Sequence, residues 1–325
     1  MYVFKPLLKQ TIWGGETITA FKDLETDTHS IGESWEISAV KDFLSVVADG
    51  KDEGKTIIQL LDEQKEKLVG KDVYAHYGNT FPLLIKFIDA RQDLSIQVHP
   101  DDKTAMMRHG SLGKTEMWYI IKADEDSFIS AGFKQPVKKE DYNRIIQDHS
   151  ITEVLNKETV RVGDVYFLPP GTVHSLGAGV FVAEIQETSD ITYRIYDYGR
   201  KDAQGKEREL HTEQAKEVID FNTRNSHKVS YKENRDKRVE LVNCPFFTTN
   251  IIKATESYHA DYSKLDSFVV IMCIDGEATI TENGIDGKEQ RIIKQGNTVL
   301  VPATTQSTDL EPINICKILE VYIRM

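Results

Sequence analysis

The chain has 325 residues, 40% of them apolar and 28% charged, a balance typical of a globular protein with a buried core. Its net charge of −12 at pH 7 argues against nucleic acid or an anionic membrane as the binding partner. No apolar run reaches the roughly 20 residues of a transmembrane helix, and Met1–Lys5 does not begin a signal peptide. The three cysteines form no CxxC pair, which indicates reduced thiols and a cytoplasmic protein.

Most of the sequence predicts short strands interrupted by Gly, Pro and Asp. Helices are expected at Thr56–Leu68, Lys138–Leu155 and Thr212–Phe221, where apolar residues recur on one face. The predicted strands are Ser34–Ala39, Phe81–Ile88, Leu94–His99, Met117–Ile121, Asp164–Leu168, Phe181–Glu187, Thr192–Tyr198, Ser267–Ile274 and Thr298–Val301. Many short strands with few helices indicate a mainly β sandwich or barrel with a small helical insertion.

A polar and charged stretch between Arg224 and Arg238 is a candidate domain boundary. We expect a first domain, the one that carries the chemistry, over residues 1–225 and a second domain over residues 226–325. The alternative interpretation is a solvated loop inside one domain.

Polar and apolar residues alternate along the predicted strand Leu94–His99. Since successive side chains of a strand point to opposite faces, Ser95, Gln97 and His99 share one face. This face either lines a site or contacts solvent, and the strand taken alone favours solvent.

Lys114 and Glu116 lie two residues apart and therefore project to the same side of a strand. Five large apolar residues follow Glu116, which places its carboxylate at the mouth of a buried strand. Burial of a carboxylate is costly unless it is paired or bound to metal. The alternative is a surface ion pair that contributes little.

The segment Gly163–His174 fits the pattern G-x5-P-x-G-x2-H, in which a tight turn directs a histidine inward. It resembles the second motif of the cupin superfamily, whose first motif pairs Gln-x-His with a later glutamate. The resemblance implies one divalent metal ion per chain, bound by Gln97, His99, Glu116 and His174. This nitrogen and oxygen set suits zinc, with iron, manganese, cobalt or nickel as alternatives.

Longer segments resemble the short bacterial branch of the type I phosphomannose isomerases. They span most of residues 1–220, whereas the last hundred residues match only in general character. The matching segments are Thr11–Gly15, Gly32–Glu36, Phe81–Lys86, Leu94–Asp102, Lys114–Glu116, His174–Gly179 and Glu184–Arg200. The resemblance implies two cupin barrels (double-stranded β-helices of jelly-roll type) and a zinc-dependent interconversion of mannose-6-phosphate and fructose-6-phosphate.

The same resemblance implies a catalytic or substrate-binding role for Lys114 and Arg194, with Ser95 and Lys86 near the substrate. Aldose–ketose isomerisation needs an electrophile, a base and a phosphate anchor. A guanidinium at Arg194 can stabilise an enediolate or bind phosphate through two donors; its alternative role is an ion pair. The proton-transfer base remains open between Lys114, Arg194 and a water molecule.

The segment Gly296–Pro302 repeats the Gly-x5-Pro spacing, with Thr304 at the turn-glycine position and Ser307 at the histidine position. It predicts a second, degenerate cupin barrel without a metal, although ordinary turns are the alternative. Three rival functions stay open: a cupin glucose-6-phosphate isomerase, an iron-dependent cupin dioxygenase and a non-catalytic sugar-binding protein.

Overall fold

The computed structural model describes residues 1–202, 204–223, 226–285 and 287–325. Among these residues, none of the helices has the length and apolar character of a membrane span. The strands are β1 (Tyr2–Val3), β2 (Leu7–Gly15), β3 (Ile31–Ile37), β4 (Ala39–Val40), β5 (Phe43–Leu44), β6 (Leu83–Ala90), β7 (Ile96–Val98), β8 (Glu116–Ala123), β9 (Phe128–Phe133), β10 (Leu155–Thr159), β11 (Val165–Leu168), β12 (His174–Leu176), β13 (Val180–Glu187), β14 (Tyr193–Tyr196), β15 (Lys228–Val229), β16 (Arg238–Asn243), β17 (Thr248–Ala254), β18 (Tyr258–Asp261), β19 (Val269–Gly284), β20 (Gly287–Lys294), β21 (Thr298–Val301) and β22 (Thr305–Tyr322). The helices are α1 (Thr17–Lys22), α2 (Ile57–Gln64), α3 (Glu66–Val69), α4 (Lys71–Tyr77), α5 (Asp102–His109), α6 (Tyr142–Gln147), α7 (Ile151–Val154) and α8 (Thr212–Val218), with a 3₁₀ turn at Lys139–Asp141.

Two antiparallel sheets form the N-terminal barrel. The seven-stranded sheet has the order β15-β11-β8-β13-β6-β3-β2, and the five-stranded sheet has the order β10-β9-β12-β7-β14. Apolar residues from both sheets, such as Trp118 and Val182 on one and Ile129 and Leu176 on the other, form one buried cluster. The two sheets therefore face each other across a common interior, as in a jelly roll.

The outer faces of both sheets are also covered. Tyr142 of α6 and Ala215 of α8 pack on Ile96 and Val98 of the five-stranded sheet. The seven-stranded sheet packs against α2 to α4 and against the C-terminal half in one large core. The barrel is thus covered on one side by α6 and α8 and on the other by α2 to α4 and the C-terminal half.

The C-terminal half forms an eight-stranded antiparallel sheet with the order β1-β21-β19-β22-β17-β16, onto which β18 and β20 also pair. It has its own buried cluster, which includes Ile271, Val299 and Ile318. Its edge strand β1 comes from the chain's beginning, where Tyr2 pairs with Leu300. Residues 224 and 225, at the predicted domain boundary, lie outside the described residues.

The expectation of one continuous helix at Thr56–Leu68 is wrong. Thr56 caps α2 through a capping box with Gln59, but the helix ends at Gln64 because Lys65 has a φ of 51°. The expected helix Lys138–Leu155 is likewise divided into a 3₁₀ turn, α6 and α7, with the break after α6 at His149, whose φ is 52°. Apolar spacing predicted the buried face of these segments but not the breaks within them.

Candidate metal centre and active site

Strands from both sheets bring the predicted metal ligands together. In the five-stranded sheet, His174 of β12 lies directly opposite Gln97 of β7, and His99 follows β7. Glu116 begins β8 in the facing sheet. Gln97 and His174, which are 77 positions apart in the chain, therefore share one wall of the cavity. The Glu116 carboxylate enters the cavity from the opposite wall.

His99, Glu116 and His174 form a compact buried group. Their ligand atoms all lie within 4.8 Å of one another. His174 Nε2 is 3.1 Å from Glu116 Oε1, and His99 Nε2 is 3.6 Å from Glu116 Oε2. This separation of nitrogen and oxygen atoms around a common centre is the arrangement that a single cation requires.

Each imidazole is oriented by its other nitrogen. His99 Nδ1 is 2.8 Å from the carbonyl oxygen of Ile191, and His174 Nδ1 is 2.9 Å from that of Thr172. Carbonyl oxygens only accept, so both Nδ1 atoms carry the hydrogen and donate. Each Nε2 keeps its lone pair directed at the shared centre, as metal-binding histidines require.

The Glu116 carboxylate fits a bound cation. Both of its oxygens are buried and accept no hydrogen bond of good geometry from any described residue. Although burial opposes ionisation, the nearby Lys114 charge holds the pKa of Glu116 well below its usual range. Burial, followed by the Lys114 charge, lowers the pKa of His99. The site thus presents a carboxylate and a neutral His99 imidazole, the forms that bind metal.

Gln97 and Ser95 complete this wall of the cavity. The Gln97 amide nitrogen is 3.5 Å from His174 Nε2, and the Ser95 hydroxyl donates to Gln97 Oε1 at 3.4 Å. Ser95 and His99 are only 3% and 2% exposed, so the solvent-facing interpretation of Leu94–His99 is wrong. The polar face of this strand points into the barrel.

Lys114 projects into the same space as Glu116, as the two-residue spacing predicts. Its Nζ lies 3.1 Å from Glu116 Oε2 and 3.2 Å from His99 Nε2. The side chain is 5% exposed, which rules out the surface ion pair considered above. An ammonium donor therefore adjoins the candidate metal position.

Arg194 lies one strand further along the same wall, opposite Gln97 in the β7–β14 pairing. Its Nη1 donates to the carbonyl oxygen of Glu209 at 3.0 Å, while its buried Nε has no partner among the described residues. Burial, and next the nearby Arg208, lower the pKa of Arg194. Arg194 therefore retains one unused donor for a ligand, in surroundings that include the cations Arg208 and Arg200 and the carboxylates Asp197 and Glu209.

Lys86 belongs to a buried charge network that the sequence did not predict. Its Nζ lies 2.6 Å from Glu184 Oε2 and 3.4 Å from Glu33 Oε2. Trp118 Nε1 donates to Glu184 Oε1 at 2.7 Å. Burial opposes the charge on Lys86, but Glu184 and Glu33 raise its pKa above the usual range. Buried polar residues within the apolar strand β13 were the available signal for Glu184.

A jelly-roll barrel with an inward His/Glu/His group that could hold a metal ion is the arrangement of the cupin class. The family model "Phosphomannose isomerase type I, catalytic domain" matches residues 1–143. The chain is 37% identical over 302 residues to the mannose-6-phosphate isomerase ManA of Bacillus subtilis, with 92% of each chain covered. The corresponding values for the enzyme of Streptococcus mutans are 34% over 301 residues and 92% of each chain.

Solved structures agree with these relatives. The crystal structure of mannose 6-phosphate isomerase from Bacillus subtilis matches with a TM-score of 0.88, 30% identity and 99% coverage of both chains. A phosphomannose isomerase variant from Salmonella typhimurium shares the fold at 14% identity, with a TM-score of 0.79. The chain belongs to the type I phosphomannose isomerases, a family of aldose–ketose isomerases, and the expected mainly β cupin fold is confirmed.

Proposed function

We propose that this chain interconverts mannose-6-phosphate and fructose-6-phosphate at the cavity between the two N-terminal sheets. The observation that supports this most strongly is the buried Glu116 carboxylate between two imidazoles whose Nε2 atoms both face it. A site built in this way is suited to a cation rather than to structural packing.

We assign one zinc ion to His99, Glu116 and His174. Gln97 is the proposed fourth ligand through its amide oxygen, which requires the side-chain amide to be turned, because its nitrogen is the atom that faces His174 Nε2 here. Two imidazoles, a carboxylate and an amide without any thiolate form a set suited to catalytic rather than structural zinc. When bound, the cation supplies Lewis acidity toward a substrate oxygen.

Lys114 and Arg194 are the proposed catalytic residues. The reaction moves a proton between C1 and C2 of the sugar, and negative charge develops on the oxygens of the enediol-like intermediate. Lys114 adjoins Glu116 and His99, and Arg194 lies on the strand next to Gln97 with one donor unused. We assign to each a hydrogen bond to that charge. Their donors are held by the fold before substrate binds, which is the condition for effective electrostatic stabilisation.

Ser95 and Lys86 are the proposed substrate-binding residues. The Ser95 hydroxyl lies on the same strand face as Gln97. Lys86 is paired with two carboxylates, so its net charge is compensated and its surroundings suit sugar hydroxyl groups better than phosphate.

A coupled assay with mannose-6-phosphate tests this function. We expect turnover by the purified protein, loss of turnover on chelation and recovery on addition of zinc. Glucose-6-phosphate is the comparison substrate, and isomerisation of glucose-6-phosphate alone would support the rival isomerase instead.

A further inference from the structure

Glu187 is a buried acidic residue that the proposed mechanism does not use. It ends β13 and is 2% exposed. The charged neighbour with the largest effect on it is another carboxylate, Asp102, and a buried carboxylate without a compensating partner is costly. Its hydrogen bonds show what it holds in place.

Glu187 forms two hydrogen bonds with the backbone of Thr115. The Thr115 N–H donates to Glu187 Oε2 at 2.7 Å, and the Glu187 N–H donates to the Thr115 carbonyl oxygen at 3.2 Å. The last register pair of β8 and β13 is Glu116 with Gln186. The hydrogen bonds of Glu187 therefore extend the pairing of β8 and β13 by one residue. Its side-chain oxygen accepts the Thr115 N–H, a role that a backbone carbonyl oxygen has in a regular strand pair.

Thr115 stands between the two residues of the site that project from this segment. Upstream of it, the Gly113 N–H donates to Asp102 Oδ1 at 2.7 Å and the Lys114 N–H to the Pro100 carbonyl oxygen at 3.1 Å. The N–H groups of Gly113, Lys114 and Thr115 are thus all held by hydrogen bonds. Of these three, the Thr115 N–H is the one that donates to a residue of β13.

The environment favours the neutral form of the Glu187 carboxyl. Oε2 already accepts the Thr115 hydrogen bond, and the carboxyl group of Asp102 lies within hydrogen-bonding reach of the same buried side chain. Burial raises the pKa of Glu187 to about 8, and the Asp102 charge acts in the same direction. A neutral amide of the same shape is therefore a fair substitute for this side chain.

We propose that Glu187 is a positioning residue: its buried carboxyl group fixes the Thr115 backbone and thereby the locations of Lys114 and Glu116. This inference rests on the proposed roles of those two residues. Displacement of a catalytic group by about 1 Å costs roughly 100-fold in rate, so a single backbone anchor is sufficient to matter.

The test compares Glu187→Ala, Glu187→Asp and Glu187→Gln. Alanine and the shorter aspartate should each lower kcat for mannose-6-phosphate and the affinity for zinc, measured by competition with a chromophoric chelator, by about 10- to 100-fold. KM should change little, because Glu187 is not proposed to touch substrate. Glutamine should restore both quantities, since its amide oxygen can accept the Thr115 N–H.

Asp89 offers a matched control at the other end of the same sheet. It is 5% exposed and accepts the Thr17 N–H at 2.7 Å, so Asp89→Ala removes a buried carboxyl of the same kind. This variant should lose stability but keep wild-type kcat and zinc affinity.

Wild-type kcat and zinc affinity in folded Glu187→Ala or Glu187→Asp would overturn the proposal, as would a Glu187→Gln variant as impaired as they are. An inactive wild-type protein would contradict the proposed function instead. The zinc affinities of the variants would still decide the positioning role.

Discussion

The charge of Glu116 explains much of the chemistry at the level of single residues. The carboxylate is removed from water, and three nitrogen-bearing groups surround it: Lys114, His99 and His174. Desolvation of one charge costs several kcal/mol, so this arrangement is stable only when nearby cations compensate for it. A metal ion held by these residues would add a further compensating charge.

Replacement of Arg194 by alanine should lower kcat by about 10²–10³, the effect of removing one donor to a developing oxyanion. Lysine at this position should restore activity only in part, because an ammonium lacks the planar pair of donors. Steady-state kinetics provide the measurement, with Arg144→Ala as the control, since Arg144 is 70% exposed on α6. A raised KM with unchanged kcat would show that Arg194 only anchors the phosphate.

Glu187 should make the stability of the protein depend on pH. Its pKa is about 8 in the folded chain against an ordinary value of 4.5, so the folded state binds more protons than the unfolded state between these two values. The contribution of Glu187 to the free energy of unfolding is therefore fully present below pH 4.5 and is lost as the pH rises through about 8.

Urea denaturation of metal-free wild type and Glu187→Gln across this interval measures the effect. The wild type should lose stability relative to the variant as the pH rises. Parallel curves for the two proteins would show that Glu187 does not titrate in this way.

Local elements illustrate what sequence patterns predict and what they miss. Alternation along Leu94–His99 predicted that Ser95, Gln97 and His99 share a face, and the Gly163–His174 pattern predicted the turn that directs His174 inward. Neither pattern carries information about the sheet that lies across the barrel. The burial of the polar face of Leu94–His99 was therefore not predictable from that strand alone. Glu184 and Glu187 were missed for the same reason, because their partners Lys86 and Thr115 are far away in sequence.

The break between α2 and α3 supplies a prediction at this scale. Lys65 has a φ of 51°, which is strained for a residue with a Cβ and acceptable for glycine. Lys65→Gly should therefore increase the free energy of unfolding by about 1 kcal/mol. Lys67→Gly, an exposed position within α3, should decrease it by about 0.5–1 kcal/mol. Urea denaturation of both variants checks these signs, and a destabilised Lys65→Gly protein would contradict the account.

At the scale of the whole molecule, the C-terminal half packs against the barrel that carries the site and shares a hydrophobic core with it. Phe81, just before β6, and Phe268, just before β19, are fully buried with ring centroids 4.7 Å apart. The strands β1 and β21, which lie near opposite ends of the sequence, pair with each other. Contacts at such separation have no local sequence signal, which is why this shared core was not predicted.

Phe268→Ala should lower the free energy of unfolding by about 3–5 kcal/mol, the usual cost of removing a buried aromatic ring. The folded variant should retain its metal, because the ring packs behind the seven-stranded sheet and not in the cavity. Urea denaturation and elemental analysis provide the two measurements. Loss of metal from folded protein would instead show that the C-terminal half shapes the site directly.

Stepwise addition of zinc to metal-free protein, with mannose-6-phosphate isomerase activity recorded at each step, tests the central claim most directly. We predict that activity is absent without metal, rises in proportion to added zinc and reaches its plateau at one ion per chain. The variant Glu116→Gln, which keeps the side-chain volume but removes the charge, should show no such rise at the same concentrations. Full activity in metal-free wild-type protein, or a plateau at two ions per chain, would contradict the account.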